Sequence, residues 1–248
     1  MISENPEVSI RLVDLKSFDD RIFQHSVSVC ILAVVLGKSL KQPLKNLEDL
    51  ALGALLHDLG MMLLPPPIRK NQGKLTLAEM NLFKTHPREG FNLLGRFANI
   101  SAQAKAFVLQ HHERYNGSGY PKELSGIDIH LGARIGGLVD AYDDLVSDHP
   151  HRSRLLPHQA LAVIKEGTGR LFDPDVAAHF LRIVSPYPIG SRLLLSSGEE
   201  VSVIRVAAGF LASPIVQVVS DAKGLKPDRT VLIDLASDPR FRIEKVLG

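Results

Sequence analysis

The chain has little cysteine, little excess charge and no long apolar run. Its single cysteine, Cys30, excludes an internal disulfide and fits a reducing compartment. The 29 basic residues almost balance the 27 acidic ones, so no strongly basic face indicates binding to DNA or RNA. The apolar run over residues 27–37 is too short to span a bilayer, and no basic segment of a secretion signal precedes it. We therefore predict a cytoplasmic protein with no membrane or nucleic-acid polymer as partner.

A helical pattern covers the first three-quarters of the chain. Apolar spacing and helix-end signals predict helices over residues 18–41, 47–63, 76–97, 101–112, 131–146 and 173–184. Pro65 and the two prolines after it end the second helix. Thr76 and Glu79 form a capping box at the start of the third. Ser101 caps the fourth helix, and Asp173 followed by proline caps the last.

The pattern changes near residue 188. Short β-rich runs alternate with turn residues over 192–195, 201–206, 215–219 and 230–235. The sequence therefore predicts a mainly α fold, with a helical domain over residues 1–187 and a small antiparallel β unit over residues 188–248.

Imidazole and carboxylate side chains recur on separate predicted helices. Two adjacent pairs and three single residues make up the set: His57 with Asp58, His111 with His112, His25, His86 and Asp140. Neighbours on a helix point about 100° apart, so one metal would bind both members of a pair poorly. Two metals that share Asp58 as a bridge would use both. Such donors suit iron, manganese or zinc, and a metal pair can hold a hydroxide and clamp a phosphodiester.

Each single residue also has an ordinary structural explanation. Taken alone, His25 is more often a core or surface histidine, and His86 could lie on a helix surface. Asp140 could pair with Arg134. The adjacent pairs are harder to explain in this way, because a helix gains nothing from burying two polar residues side by side. The combination therefore favours a metal site.

These residues stand within longer motifs that resemble the HD-GYP family, a branch of the HD metal-dependent phosphohydrolases. The matching motifs, in the family's order, are His25-Ser26, Gly53–Gly60, Lys84–Pro87, His111–Arg114, Gly117–Pro121, Ala133–Ile135 and Asp140–Asp143. The resemblance implies an HD-type helical bundle, and the β tail is similar to the extension that follows some HD-GYP domains. It also implies a metal-dependent phosphodiesterase that hydrolyses cyclic di-GMP to the linear dinucleotide pGpG, to GMP, or to both.

The resemblance implies a ligand set for two divalent ions. One ion would be held by His25, His57, Asp58 and Asp140, and the other by Asp58, His86, His111 and His112. His57 and Asp58 would be the catalytic pair, and a hydroxide between the ions would attack phosphorus. Iron and manganese are the expected metals, while zinc and nickel accept the same donors. Arg21 stands where trinuclear members have a glutamate, so we expect two ions and no third.

The resemblance also implies substrate contacts. Gly119 and Tyr120 lie in the glycine-rich loop, and Tyr120 could stack on a guanine or simply pack the loop. Arg152 and His149 stand where the family commonly has basic residues that reach the dinucleotide. His149 replaces an arginine, so its charge at pH 7 is only partial.

Met61 stands where the family has a lysine that approaches the substrate phosphate. A thioether supplies no charge to a phosphoryl oxygen, so we expect reduced activity. The alternative is a weak or inactive HD-GYP module that binds a nucleotide or a partner protein. A phosphohydrolase acting on nucleoside phosphates is a third hypothesis. Because the chain begins close to the first ligand helix, three alternatives stay open: a stand-alone protein, a fragment of a longer one, or a protein that receives its signal from a partner. The expected partners are a second copy of the chain in a homodimer, or a signalling protein such as a sensor or a diguanylate cyclase.

Overall fold

The computed structural model describes residues 20–69, 75–148 and 152–247. Helices come first and strands follow, so the predicted mainly α fold with a small antiparallel β unit is confirmed. The helices are α1 (Asp20–Ser39), α2 (Leu44–Leu56), α3 (Pro66–Arg69), α4 (Leu77–Phe83), α5 (His86–Leu94), α6 (Ala102–Gln110), α7 (Leu131–Val146), α8 (Pro157–Gly167) and α9 (Pro174–Ile183). Short 3-10 helices span Leu59–Leu63 and Gly126–Asp128. The strands are β1 (Arg192–Leu195), β2 (Glu200–Arg205), β3 (Ile215–Ser220), β4 (Leu232–Asp234) and β5 (Ile243–Val246).

The chain divides into two compact units. The first comprises Met1–Arg154 and Ile164–His179, and the second comprises Leu155–Val163 and Phe180–Gly248. The predicted boundary between residues 187 and 188 stays a prediction.

The first unit is a bundle in which α1 packs on α2 and α7, and α6 packs on α2, α5 and α7. Leu36, Leu56, Phe107 and Leu138 are among its fully buried side chains. Helices α6 and α7 approach closely because Gly136 has no side chain. A Cβ at that position would lie 2.5 Å from the Phe107 ring. This close approach brings the C-terminal end of α6 beside the middle of α7.

Helix α1 is long and apolar enough to cross a membrane, judged by length and composition only. Its mean hydropathy over 18 residues is 1.5. Its inward side chains Val29, Ala33 and Leu36 are nevertheless fully buried, and they face α2 and α7 in the bundle. A third of the apolar stretch is buried in this way, whereas Ile31 and Val35 on the same helix are exposed.

Local capping signals confirm several predicted helix ends. The Thr76 and Glu79 side chains each accept the other's backbone N–H, which is the predicted capping box. Ser101 caps α6 as predicted. Asp173 accepts two backbone N–H groups at the start of α9. The predicted bounds of the fifth helix agree with those of α7.

Two predicted helices differ from the structure. Helix α2 ends at Leu56 and not at residue 63, because the chain turns there into a 3-10 helix that lies against α5. A Cβ on Gly60 in that turn would lie 2.0 Å from the carbonyl oxygen of His86. The predicted third helix is two helices, α4 and α5. Pro87 has no N–H to donate to the Phe83 carbonyl, so the helical ladder breaks there.

The second unit contains one antiparallel sheet with strand order β4-β3-β2-β1-β5. Alternate residues of the strands form one apolar core: Leu193, Leu195, Val201, Val203, Val216, Val218 and Ile233. The first four strands overlap the predicted ones, whereas β5 and helix α8 were not predicted. Pro157 at the first position of α8 is a helix-start signal that could have indicated that helix.

Candidate metal centre

All seven predicted metal ligands lie together in the first unit. They form two groups, His25 with His57 and Asp58, and His86 with His111 and His112. Within each group the potential ligand atoms all lie within 4.8 Å of one another. Asp140, from the middle of α7, faces both groups. One of its carboxylate oxygens is 3.0 Å from His25 Nε2, and the other is 3.8 Å from His112 Nδ1.

Three histidines form the closed floor of the site. His57, His86 and His111 are fully buried, and each stands at a helix end. Their Nδ1 atoms each lie 2.8 Å from the main-chain carbonyl oxygen three residues earlier. Because a carbonyl can only accept, Nδ1 carries the proton in all three rings. The Nε2 lone pairs are therefore turned into the site, as in metal-binding histidines whose second nitrogen donates to a carbonyl.

The arrangement of these nitrogens fits a cation. Nε2 of His86 lies 3.3 Å from Nε2 of His111, so two acceptor lone pairs face each other inside the protein. Nε2 of His57 is buried and has no hydrogen-bond partner among the residues that the structure describes. A buried nitrogen acceptor that has no hydrogen-bond donor lowers the stability of the fold unless a positive group interacts with it. A divalent ion among these rings would do so.

Asp58 occupies the position between the two groups. Its Oδ2 lies 3.5 Å from His57 Nε2, and its Oδ1 lies 3.3 Å from His86 Nε2. Oδ1 is also 3.9 Å from His111 Nε2. One oxygen thus faces each group, which is the geometry that a bridging carboxylate requires.

The electrostatics of Asp58, His111 and His112 favour the protonation states that bind metal. Burial opposes ionisation of Asp58, but His57 and His86 lower its pKa well below the usual value. Burial and the neighbouring His57 and His86 lower the pKa of His111 to about 3. Burial and His111 likewise lower the pKa of His112. An ionised Asp58 beside neutral imidazoles of His111 and His112 provides donors that a divalent cation needs.

Asp143 is a functional candidate that the sequence analysis missed. Its Oδ2 accepts a hydrogen bond from His25 Nδ1 at 2.7 Å, which orients the other ring nitrogen toward Asp140. Burial lowers the pKa of His25, but the hydrogen bonds to Asp140 and Asp143 prevail and raise it to about 11. The i, i+3 spacing of the two aspartates on one helix was the available signal. Arg134 pairs with Asp173 and not with Asp140, so that ordinary explanation of Asp140 is wrong.

The glycine-rich loop is attached to the histidine pair. Buried Glu113 accepts hydrogen bonds from the backbone N–H groups of Lys122 at 2.7 Å and of Leu124 at 3.0 Å. Tyr120 N donates to the carbonyl oxygen of His112 at 3.2 Å. These bonds fix the loop where it passes the site.

Tyr120 and Gly119 have different environments in this loop. The Tyr120 ring packs on the His112 ring, with centroids 4.8 Å apart. Burial, together with the nearby Asp140 and Asp58, raises the pKa of the Tyr120 hydroxyl. A Cβ on Gly119 would lie 2.3 Å from Arg114 N, so the absence of a side chain lets the loop lie on the backbone. A substrate contact by either residue stays a prediction.

Of the other two predicted substrate contacts, Arg152 lies within the described residues. Arg152 donates to the carbonyl and carboxylate oxygens of Asp144, near the end of α7. His149 lies outside the described residues. Met61 is buried, and it packs in an apolar cluster with Ile22, Leu64 and Ile68.

Comparisons with known proteins identify the family of the chain. The family model described as HD domain matches residues 7–176. The chain belongs to the HD domain family. Among relatives, it is 35% identical to a cyclic di-GMP phosphodiesterase of Pseudomonas aeruginosa, over 94% of this chain and 56% of that protein. It is 42% identical to the cyclic di-GMP phosphodiesterase response regulator RpfG of Xanthomonas campestris pv. campestris, over 56% of this chain and 37% of that protein. These matches and the motifs assign the chain to the HD-GYP branch.

Solved structures share the fold. A protein of Bdellovibrio bacteriovorus described as an HDG"Y"P protein superposes with a TM-score of 0.55 and 25% identity, covering 65% of this chain and 52% of that chain. The HD domain of the L. monocytogenes phosphodiesterase PgpH superposes with a TM-score of 0.52 at 15% identity, covering 69% of this chain and 91% of that chain. The chain spans about half, or less, of the length of the two curated relatives named above.

Proposed function

We propose that this chain is a metal-dependent phosphodiesterase that hydrolyses cyclic di-GMP to pGpG, to GMP, or to both. The observation that carries the proposal is Asp58, whose two carboxylate oxygens face two separate groups of imidazoles. Relatives that are 35% and 42% identical to this chain are named cyclic di-GMP phosphodiesterases. The substrate class comes from those relatives, and the reaction type follows from the donor set.

The side chains have separate roles in this proposal. His25, His57 and Asp140 would hold one ion, His86, His111 and His112 the other, and Asp58 both. Two divalent ions bound there would supply positive charge to the phosphodiester oxygens and would acidify a water molecule.

Tyr120 contributes a proton donor at the edge of the site. Burial and the nearby carboxylates raise the pKa of its hydroxyl, so the hydroxyl stays protonated at neutral pH. It can therefore donate a hydrogen bond to a phosphate or guanine oxygen of the substrate.

The metals and partners belong to the same proposal. Histidine-rich sites with a bridging carboxylate suit iron and manganese, and zinc and nickel are the alternatives. We propose a cytoplasmic protein with a helical domain over residues 1–187. A homodimer or a signalling partner, such as a sensor or a diguanylate cyclase, would provide regulation.

The test is hydrolysis of cyclic di-GMP by protein purified without oxygen and loaded with iron(II) or manganese(II). Chromatography would follow substrate, pGpG and GMP, and metal content would be measured in the same samples. The double variant His57→Ala/Asp58→Ala should lose metal and turnover together. His179→Ala is the matched control, because this histidine lies on α9 and bonds its own helix at Asp175. Intact cyclic di-GMP with two metals per chain would contradict the proposed activity.

A second candidate function is a catalytically weak module that binds nucleotide or a partner protein without turnover. Burial of Met61 in an apolar cluster favours it, because the position that holds a phosphate-binding lysine in the family contributes no charge. Calorimetric binding of cyclic di-GMP to the metal-loaded protein separates the two. Binding without consumption supports the module, whereas turnover supports the enzyme.

A further inference from the structure

The ligands of the candidate metal centre differ in exposure, and the side chain of His25 is 21% exposed. The side chains of His57 and His86, on the floor, are 1% and 0% exposed, whereas those of Asp58 and His112 are each 17% exposed. The side on which Asp58 and His112 are exposed, the open side, also carries Tyr120, whose ring packs on His112. A phosphodiester that reaches Asp58 from this side passes the Tyr120 and His112 rings.

Lys84 stands beside that approach. It follows the last residue of α4 and comes two residues before His86 in the chain. Its Nζ lies 5.4 Å from the centroid of the Tyr120 ring, within cation–π distance. The side chain is exposed, and the described residues offer it no carboxylate partner. Its ammonium therefore has donor hydrogens available for a ligand.

Three arginines on or beside α6 and α7 are already engaged. Arg134 is paired with Asp173. Arg152 is bonded to Asp144. The Arg114 guanidinium contacts the carbonyl oxygen of Gly137 at 3.5 Å. A phosphate at the open side would have to break or share these contacts, whereas binding to Lys84 replaces only a cation–π contact and water.

We infer that Lys84 is a substrate-binding residue that contacts a phosphate of the nucleotide. From the C-terminal end of α4, it supplies the positive charge that position 61 lacks in this chain. Met61 is buried among apolar side chains, so a cation for the phosphate has to come from another element. Tyr120 holds the lysine stem at the open side, and the ammonium moves from the ring to the phosphate when substrate binds. This inference rests on the proposed function.

The test compares Lys84→Met with Lys84→Arg and with Lys38→Met. Lys38 is an exposed cation at the other end of α1, roughly 20 Å along the helix from His25 at 1.5 Å per residue. For manganese-loaded proteins, we expect Lys84→Met to lower kcat/KM for cyclic di-GMP by roughly 10- to 100-fold, the range for a charge-assisted hydrogen bond. Lys84→Arg should retain most of the activity, and Lys38→Met should match the unchanged protein. Metal content should stay the same in all three.

A second measurement needs no turnover. Calorimetry of GMP binding to the same metal-loaded proteins should show about 10-fold weaker binding for Lys84→Met alone. If cyclic di-GMP is not hydrolysed but this difference appears, the proposed activity fails and the role of Lys84 holds. Equal kcat/KM and equal GMP affinity in Lys84→Met and the unchanged protein would overturn the inference, and so would absence of GMP binding to the unchanged protein.

Discussion

The hydrogen bond between Asp143 and His25 gives a prediction about one metal position alone. Asp143 is buried, and its Oδ2 lies 2.7 Å from His25 Nδ1. Asp143→Asn keeps the size of the side chain but removes its negative charge. The neutral amide no longer raises the electron density on the imidazole, and it fixes the ring orientation less firmly. The ion held by His25 should therefore bind more weakly.

The magnitude follows from the kind of contact that is lost. Loss of a hydrogen-bond partner behind a metal-ligating histidine costs about 10- to 100-fold in metal affinity. That corresponds to about 1.4 to 2.7 kcal/mol. The group formed by His86, His111 and His112 is oriented by other contacts, because His86 and His111 donate to main-chain carbonyls. Only one of two binding events should therefore weaken.

The assay is an anaerobic calorimetric titration of metal-free protein with manganese(II). The unchanged protein should take up two ions, and Asp143→Asn should take up one ion with unchanged affinity and one with reduced affinity. Asp175→Asn is the control, because Asp175 is an exposed carboxylate on α9, with its side chain 82% exposed. If both binding events weaken equally in Asp143→Asn, or if neither changes, Asp143 does not act through His25.

Three further substitutions test the packing around the site. Gly60→Ala puts a Cβ 2.0 Å from the carbonyl oxygen of His86, so we expect a loss of about 1 to 3 kcal/mol and a lower metal content; unchanged thermal unfolding would contradict the close approach. Met61→Lys removes the roughly 1.5 to 3 kcal/mol of stabilisation that burial of the methionine side chain provides, and it places an ammonium in an apolar cluster. The melting temperature should therefore fall, without a gain in turnover. A rise in turnover at unchanged stability would show that position 61 faces substrate. Asp173→Ala removes a helix cap and leaves Arg134 without its partner, so urea unfolding should show a loss of about 2 to 4 kcal/mol, whereas a loss below about 1 kcal/mol would refute the pairing.

Predictions from local signals agree well with the structure. The capping residues Thr76, Ser101 and Asp173 act as predicted, because each needs only backbone groups within three residues. The histidines and aspartates were found because their residue types and order carry the family resemblance. Their convergence on one site was an inference from that resemblance and from the coordination that two metals require.

Features that depend on distant residues were not predictable in this way. Helix α2 ends at Leu56 because Gly60 packs against α5, and no signal near residue 56 announces it. Strand β5 forms by pairing with β1, about fifty residues earlier in the chain, and its own residues give a weak pattern. Asp143 was missed for the same reason, since its partner His25 is on another helix.

The floor of the site shows how helix ends prepare a metal centre. A helix leaves its last carbonyl groups without N–H partners, and His57 and His111 donate Nδ1–H to such carbonyls. For His86 a proline produces the same situation, because Pro87 cannot donate to the Phe83 carbonyl and the histidine Nδ1–H does so instead. In each case one hydrogen bond satisfies a free carbonyl and fixes a ring with Nε2 inward. The donors are therefore positioned by the backbone before any ion binds, so metal binding should cost little reorganisation of the bundle.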